Sequence, residues 1–384
     1  MSTLADRILA EAQEGRSASG IAVAATYQPA GGPDEKVMPP TFPNDGRDTP
    51  YLVEPRWIDG ERHEAVVLDQ AQSQANRVEE ALLAARDAGR LPMPLFEMVV
   101  PTARGAVRLT SLDFPHRYAD AYLRDSEIGG VRFDKTPAGA RLREASTDDV
   151  RPLYEREPCS LLFGAWDSHR KGRWPKFARV YASSVIGIDP LLGERAAGRM
   201  DPVNLTGIVD DKEKAEGDWK FAHAGEKAKG KKLSEIGHGN IAPGSTHGGV
   251  SVRSVRRTGW VSFAGLDRLR FGDAAPEAAA LARATLAALA LAGDRLAFGQ
   301  PSVWLRSGCD LTRVAETIGF ELAGGTVDAL AVTADDAVEA YVDLRDRAAA
   351  AGIPMAADSV AVEPIGALRS AVEFAVTSAT PDGE

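Results

Sequence analysis

The chain has 384 residues, enough for one large domain or two ordinary ones, and its 44% hydrophobic and 26% charged residues are typical of a soluble globular protein. An alanine-rich run at 278–292 is too short and too weakly apolar to span a bilayer, and the N-terminus lacks an apolar signal core. Two widely separated cysteines, Cys159 and Cys309, suggest neither a disulfide framework nor a metal knuckle, so the sequence predicts a cytoplasmic protein with no membrane partner.

Charge is distributed unevenly along the chain. The net charge of −10 divides into −7 over residues 1–150, +6 over 151–260 and −9 over 261–384. Nine of the eleven lysines lie in the middle block, and none follows Lys232. Nucleic-acid backbones are bound by local positive charge, because neutralised phosphates release counterions. The middle block therefore indicates either a nucleic-acid contact or a solvated lysine-rich loop.

The N-terminal third favours a strand, a long connection and a helix. Ile21–Tyr27 is an apolar run suited to a buried strand, whereas residues 29–60 are rich in Pro, Gly, Asp and Asn. Apolar residues at three-to-four spacing predict a helix over Asp69–Ala88, ended by Gly89. Two paired strands and a short helix are then predicted at Phe96–Val100, Ala106–Leu109 and Pro115–Arg124.

The remainder alternates irregularly between strands and helices. Residues 189–258 are rich in Gly, Lys, Asp and Pro over a length that indicates a functional insertion. This pattern predicts an α+β core with insertions rather than a regular parallel sheet. Strands are predicted at Ser160–Trp166, Phe177–Ile188, Gly259–Ala264, Val303–Leu305 and Ala329–Val332, and helices at Ala275–Leu291 and Asp335–Ala351.

The segment 168–181 combines fixed cations with aromatic side chains. Cations can follow phosphates while aromatic faces stack on unpaired bases, the combination that single-stranded nucleic acid requires. The alternative is that Phe177 and Tyr181 belong to the core and the cations solvate a turn. The cations are Arg170, Lys171, Arg173, Lys176 and Arg179, and the third aromatic residue is Trp174.

A second polar cluster opens the helix predicted at Asp69–Ala88. Ser73, Gln74, Asn76 and Arg77 would add side-chain donors to the free N–H groups of a helix N-terminus, which suits a phosphate. An ordinary polar helix start, with a capping side chain, fits equally well.

Two further segments resemble catalytic motifs but lack essential residues. The run 225–232 imitates a phosphate-binding loop, yet Lys232 stands where magnesium chemistry needs Ser or Thr, so we interpret it as a flexible basic loop. His238 and His247 lie in a glycine-rich segment without a carboxylate or cysteine at ligand spacing. No nucleophile elbow, zinc helix or dinucleotide fingerprint is present. The sequence therefore predicts no catalytic residue, metal or cofactor.

Several segments in this order resemble the backbone RAMP subunit of type I-U (also called I-G) CRISPR Cascade complexes. The resemblance covers residues from about 21 to 265 and is carried by two short motifs together: Ser-Gln-Ala-Asn-Arg at 73–77 and Leu-Phe-Gly-Ala-Trp-Asp-Ser at 162–168. Supporting segments are Pro115-His-Arg-Tyr-Ala-Asp-Ala121, the Phe-Asp-Lys-Thr-Pro within 129–139, and Lys176-Phe-Ala-Arg179.

This resemblance implies an RRM-like (ferredoxin-like) palm with an antiparallel sheet and a large inserted thumb. The palm would comprise residues 1–188, with a long loop at 29–66, and residues 259–384, and the thumb would be the basic insertion 189–258. Implied partners are CRISPR RNA, target DNA paired with that guide, other copies of the chain, other Cascade subunits and a helicase–nuclease. The residues predicted to contact RNA are Ser73, Gln74, Asn76, Arg77, Arg117, Arg170, Lys171, Arg173, Trp174, Lys176, Arg179, Lys231, Lys232, Arg253 and Arg256.

Two enzymatic alternatives stay open beside this non-catalytic scaffold. One is a metal-dependent ribonuclease that cuts target RNA with an aspartate of the insertion; the other is a guide-processing ribonuclease that uses His238 or His247 as acid and base. The candidate aspartates are Asp201, Asp210, Asp211 and Asp218, and no motif selects one of them.

Overall fold

The computed structural model describes residues 3–43, 46, 48–166, 175–209, 221–222 and 230–378. Within these ranges the protein is α+β, as predicted, with ten α-helices, three short 3₁₀ turns and twenty strands. The helices are α1 (Leu4–Glu11), α2 (Ala71–Asp87), α3 (Ala121–Arg124), α4 (Pro137–Arg143), α5 (Arg151–Arg156), α6 (Pro158–Phe163), α7 (Phe263–Asp267), α8 (Pro276–Phe298), α9 (Ala334–Ala350) and α10 (Gly366–Ser378). The 3₁₀ turns are Arg117–Ala119, Phe133–Lys135 and Leu233–Ile236.

The strands are distributed over a main sheet, a second sheet and three small sheets. The first ten are β1 (Ala18–Pro29), β2 (Val53–Ile58), β3 (Glu61–Asp69), β4 (Leu95–Thr102), β5 (Gly105–Thr110), β6 (Ser126–Ile128), β7 (Val131–Arg132), β8 (Ala165–Trp166), β9 (Lys176–Phe177) and β10 (Tyr181–Ile188). The others are β11 (Leu191–Arg199), β12 (Ile208–Val209), β13 (Phe221–Ala222), β14 (Lys231–Lys232), β15 (Ile241–Ser251), β16 (Ser254–Ser262), β17 (Ser302–Trp304), β18 (Asp310–Leu322), β19 (Val327–Ala329) and β20 (Ser359–Pro364).

The main sheet has the order β17-β18-β1-β16-β10-β3-β2, and β19 pairs with β18. Every pairing in it is antiparallel. Its four central strands lie in the order β18-β1-β16-β10. Along the chain these strands occur in the order β1, β10, β16 and β18, with α2 between β1 and β10 and α8 between β16 and β18. In β1 the alternate residues Ile21, Val23, Ala25 and Tyr27 are buried, because a strand turns successive side chains to opposite faces.

Helices α2 and α8 pack against each other and against this sheet. Helix α8 is buried along almost its whole length, as its alanine-rich sequence suggests, and it extends seven residues beyond the predicted end at Leu291. Close approach to α2 requires a small residue at Gly293, where an added Cβ would lie 2.5 Å from a methyl carbon of Val78. No helix in the described ranges is long and apolar enough to cross a membrane.

The second sheet has the order β5-β4-β20-β6-β7. Its hairpin β4–β5 confirms the predicted pairing of Phe96–Val100 with Ala106–Leu109. Strand β20 runs parallel to β4 and joins the C-terminal residues to this part of the chain. Helix α10 covers the same sheet.

The region predicted as an insertion contains a long hairpin built from β11 and β15. Its base is attached to the preceding loop by the bridge between Val37 and Val250 and by the hydroxyl of Tyr51, which accepts the amide hydrogen of Gly249 at 2.9 Å. Farther out, the Arg199 guanidinium donates to the carbonyl of His238 at 2.8 Å. Residues 254–258, at the end of the predicted insertion, lie in β16 of the main sheet, and the predicted loop 29–66 contains β2 and the start of β3.

Three predicted elements differ from the structure. Of the strand predicted at Ala329–Val332, only Ala329 is extended, at the end of β19. Most of Ser160–Trp166, predicted as a strand, is the helix α6, and only Ala165–Trp166 is extended. A short, fully buried apolar run has no periodicity that separates helix from strand, and Pro158 at the first helical position favours the helix. The helix predicted at Pro115–Arg124 divides into a 3₁₀ turn and α3, since Asp120 is extended and caps α3.

Candidate nucleic-acid interface

An open cleft of about 790 Å³ lies at the start of β10. Strand β3 pairs with β10 only from Val185 onward, so on that edge the first residues of β10 are left beside the cleft, while on the other edge they pair with β16. Three segments close around it: the turn at 115–119, the end of α6 with β8, and the chain from β9 into β10. The lining residues are Pro115, His116, Arg117, Ala119, Phe163, Gly164, Ala165, Trp166, Lys176, Phe177, Ala178, Arg179 and Ala182.

Trp166 and Lys176 form a cation–aromatic pair at the mouth of the cleft. They are direct partners in the short ladder β8–β9, and the Lys176 Nζ lies 5.1 Å from the centre of the Trp166 ring. Trp166 is 56% exposed, whereas Phe177, the next residue of β9, is buried. An exposed indole beside a fixed cation offers a stacking surface for a base and a positive charge for a phosphate.

Arg179 extends the positive surface along the same segment. It is exposed, and within the described ranges it has no carboxylate partner, unlike most arginines of this chain. The segment 176–180 separates the cleft from a second one of about 640 Å³, which contributes Arg268 and Arg270. Arg270 is paired with Asp148 at 3.0 Å, so Lys176, Arg179 and Arg268 are the cations that the described residues leave for a ligand beside this segment.

The start of α2 packs against β10, where Gln74 contacts Ser183. Asn76 is exposed, and Ser73 and Arg77 are half-buried. The N-cap residue Gln70 makes no side-chain capping bond, and the Nε atom of Arg77 is buried without a hydrogen-bond partner among the described residues. Three of the four side chains predicted at this helix start therefore have polar groups that the core does not use.

Gln74, the fourth, belongs to the core. Its side chain is 0% exposed, its amide nitrogen donates to Asp69, and its amide oxygen accepts from the Ser183 hydroxyl at 2.8 Å. The predicted contact with RNA at Gln74 is not compatible with this burial. The sequence pattern could not show this, because Gln74 falls on the helix face turned towards the sheet, only two residues from the exposed Asn76.

Arg117 is also buried and is held by protein groups. Its guanidinium makes two bonds to the Glu79 carboxylate, at 2.6 and 3.0 Å, and donates to the carbonyl oxygen of Gly164 at 2.9 Å. Arg117 therefore supports the wall of the cleft from inside instead of presenting its charge to a ligand, which corrects its predicted direct contact.

The remaining predicted cations are spread over other parts of the molecule. Arg253 pairs with Asp189 at 3.4 Å and Arg256 with Asp59 at 2.5 and 3.1 Å, both near the opposite end of β10 and β16 from Arg179. Lys231 and Lys232 are exposed on β14 of the insertion. Arg170, Lys171, Arg173 and Trp174 lie outside the described residues.

Two side chains that were candidates for catalysis, those of Asp201 and His247, make contacts with other parts of the protein. The Asp201 carboxylate accepts hydrogen bonds from the backbone N–H groups of Val203, Leu205 and Gly239, and these bonds lower the pKa of its carboxyl. The ring of His247 packs edge-on against Tyr51. The described part of the chain contains no cluster of three His, Cys, Asp or Glu residues fit to hold a metal ion. Asp210, Asp211 and Asp218 lie outside it.

Sequence reasoning missed Trp166 and His116 as individual surface residues of the cleft. Trp166 was recognised only as part of the Leu-Phe-Gly-Ala-Trp motif. A usable signal was Gly164: it adopts φ +84° and ends α6, and in the short strand after it Ala165 is buried and Trp166 is exposed.

Two buried carboxyl groups lie behind the cleft. Burial raises the pKa of Glu157 to about 8. Burial also raises the pKa of Glu79, an effect that the two bonds from Arg117 to its carboxylate oppose. The Oε2 atom of Glu157 has no hydrogen-bond partner among the described residues. The raised pKa favours the neutral, protonated form of the Glu157 carboxyl at neutral pH.

This burial predicts a fall in stability with rising pH. A carboxyl whose pKa is raised on folding binds more protons in the folded state, so the free energy of unfolding decreases from about pH 5 to pH 8. Glu157→Gln should flatten this decrease by on the order of 2–4 kcal/mol, measured by urea unfolding at several pH values. Glu80→Gln, at an exposed position on α2, controls for the loss of one carboxylate. An unchanged slope in Glu157→Gln would contradict the assignment.

The fold and the cleft define an α+β protein with an exposed cation–aromatic surface beside its main sheet. Residues 21–190 match the model of a family described as CRISPR-associated protein GSU0053. The matched segment runs from β1 to the end of β10 and includes every residue that lines the cleft. A comparison with curated proteins found no match. The family match supports a CRISPR-associated protein with a role in a CRISPR system.

Proposed function

We propose that this protein is a non-catalytic backbone subunit that binds CRISPR RNA in a type I-U/I-G Cascade complex. In this role several copies assemble along the guide, which pairs with target DNA, and a separate helicase–nuclease performs the cleavage. The CRISPR-associated family match supplies the biological system. The observation that carries RNA binding is the exposed pair of Trp166 and Lys176 at an open cleft.

The topology of the main sheet supports an RRM-like palm. Four strands and two helices occur in the chain order β-α-β-β-α-β, with the spatial strand order fourth-first-third-second. This is the ferredoxin-like arrangement that RRM domains use. Fold alone does not establish function, so this topology adds to the proposal only together with the surface chemistry.

The hairpin β11–β15 supports the thumb of this proposal. It leaves the main sheet between β10 and β16, and many of its side chains on both strands are exposed. Such a two-stranded ribbon buries little surface by itself, which suits a segment that closes over a ligand. The exposed apolar side chains of Leu191, Leu192 and Ile241 lie on this ribbon, and Met200 and Val203 follow β11.

A charge-removing double variant tests the RNA contact. Lys176→Ala/Arg179→Ala should weaken binding of guide RNA about tenfold at moderate salt and reduce the slope of log affinity against log salt by 1–2, because each cation lost leaves about one phosphate unneutralised. Fluorescence anisotropy over a salt series measures both quantities. Arg369→Ala, an exposed arginine on α10, is the matched control and should change neither.

A cleavage assay separates the scaffold from the ribonuclease alternatives. The purified protein is incubated with labelled guide RNA and with complementary RNA, with and without Mg²⁺. The proposal expects intact RNA under all conditions. Defined fragments that disappear on substitution of His238, His247 or an aspartate of the insertion would overturn the non-catalytic assignment. Co-purifying CRISPR RNA of uniform length would support the scaffold.

A further inference from the structure

We propose that the buried ion pair of Glu79 and Arg117 is a positioning device that fixes the β8–β9 ladder, and with it Trp166 and Lys176, for contact with RNA. The inference deepens the proposed function and rests on it. It assigns a role to two charged residues that the protein buries beside its cleft.

The pair joins three elements that are distant in sequence. Glu79 is on α2, Arg117 is in the 3₁₀ turn, and the carbonyl oxygen that Arg117 also binds belongs to Gly164, at the end of α6. The planar guanidinium makes all three bonds at once in one fixed geometry, which the rotating ammonium group of a lysine does not reproduce. Arg117 thus fixes the place where the chain leaves α6 relative to α2.

Two further contacts hold the turn to α6. The Arg117 guanidinium carbon lies 5.4 Å from the centre of the Phe163 ring, and the amide of Tyr118 donates to the Ser160 hydroxyl at 3.3 Å. Arg117 itself adopts φ +52°, a left-handed conformation that is unfavourable for a residue with a side chain. Since the local backbone disfavours this geometry, the contacts of the side chain maintain it.

Gly164 transmits this placement to the RNA-contacting residues. An added Cβ on Gly164 would lie 3.0 Å from the carbonyl oxygen of Phe177, so the backbones of α6 and β9 are in close contact there. Trp166 follows Gly164 by two residues, and its partner Lys176 precedes Phe177. A displacement of Gly164 therefore moves both members of the cation–aromatic pair.

The energetics of buried ion pairs indicate that the Glu79–Arg117 pair positions the β8–β9 ladder and contributes little to the free energy of unfolding. Desolvation offsets most of the attraction between two buried charges, so such pairs often contribute little net stability but specify one arrangement of the parts that they join. An isosteric neutral replacement should consequently fold while it loses the fixed placement of the ladder.

The test uses the double variant Glu79→Gln/Arg117→Met, which removes both charges together and leaves no unpaired buried charge, and the conservative variant Arg117→Lys. Amide hydrogen exchange of the RNA-free protein should accelerate about tenfold at residues 165–166 and 176–177 in both variants. Exchange in the hairpin β4–β5 should stay as in the wild type, which controls for general destabilisation.

RNA affinity is measured on the same variants, with and without Trp166→Ala. The double variant should bind RNA about tenfold more weakly, and it should lose little further affinity when Trp166→Ala is added, because both changes act through the same ring. Full additivity with Trp166→Ala, or unchanged exchange in the ladder, would overturn the inference. If the wild type bound no RNA, the proposed function would fail, and the exchange data would still decide whether the pair holds the ladder.

Discussion

Asp294→Ala is expected to destabilise the protein by about 3–5 kcal/mol, the cost of leaving a buried cation without its partner. Asp294 is 1% exposed and lies between Arg257, Arg295 and the hydroxyl of Tyr181, which donates to it at 2.7 Å. Burial alone would raise the pKa of Asp294, but the two arginines lower it to about 2, so the carboxylate stays charged. Urea unfolding at pH 7 measures the loss.

The size of this effect follows from the position of Arg257. Its side chain has no exposed surface, its guanidinium lies 3.5 Å above the centre of the Phe298 ring, and it also donates to Tyr181 at 3.0 Å. Without Asp294, these neutral neighbours cannot replace the lost solvation of the charge. Arg257 belongs to β16 and Asp294 to α8, so the same contact attaches the helix layer to the centre of the sheet.

Two further variants separate this explanation from a general packing defect. Asp148→Ala removes the exposed pair with Arg270 and should cost no more than about 1 kcal/mol. The double variant Arg257→Met/Asp294→Leu removes both charges and should recover much of the stability lost in Asp294→Ala. A loss below about 1 kcal/mol in Asp294→Ala, or no recovery in the double variant, would refute the account.

Long elements with a regular apolar pattern were predictable from sequence. Helices α2 and α9 and the strand at Ile21–Tyr27 lie within a few residues of their predicted ranges, and α8 begins as predicted but extends seven residues farther. Strand β18 was missed because several of its residues on both faces are partly exposed, so Asp310–Leu322 shows no clean alternation. The hairpin β2–β3 was hidden in a loop rich in Gly and Pro, and β20 depends on a partner, β4, that is far away in sequence.

The candidate site shows a sharper limit of sequence reasoning. The pattern selected the segment around Lys176 and Arg179 and the start of α2, because charge and aromatic content are local properties. It could not separate Arg179, which is exposed, from Arg117, which is buried against Glu79. Both residues are arginines in polar surroundings, and only the tertiary partner decides whether the charge faces solvent or the core.

Trp166→Ala is expected to reduce RNA affinity about 10- to 100-fold. Removing an aromatic ring on which one base stacks costs about 1–3 kcal/mol of binding free energy. Because the indole is 56% exposed, the free energy of unfolding should change by no more than about 0.5 kcal/mol. Trp166→Phe should retain part of the affinity, since a smaller ring still offers a stacking face. Titration of single-stranded guide RNA with each variant measures these differences.

Trp304→Ala is the matched control, because Trp304 is 63% exposed but lies on β17. This strand is at the edge of the main sheet and is separated from β10, which borders the cleft, by β18, β1 and β16. Its removal should leave RNA affinity unchanged. Equal losses in the two variants would mean that exposed tryptophans attract RNA nonspecifically, and unchanged affinity in Trp166→Ala would exclude the cleft as the binding surface. A loss confined to Trp166→Ala would place a base against the ring that Lys176 covers, where the neighbouring cation adds to the stacking energy.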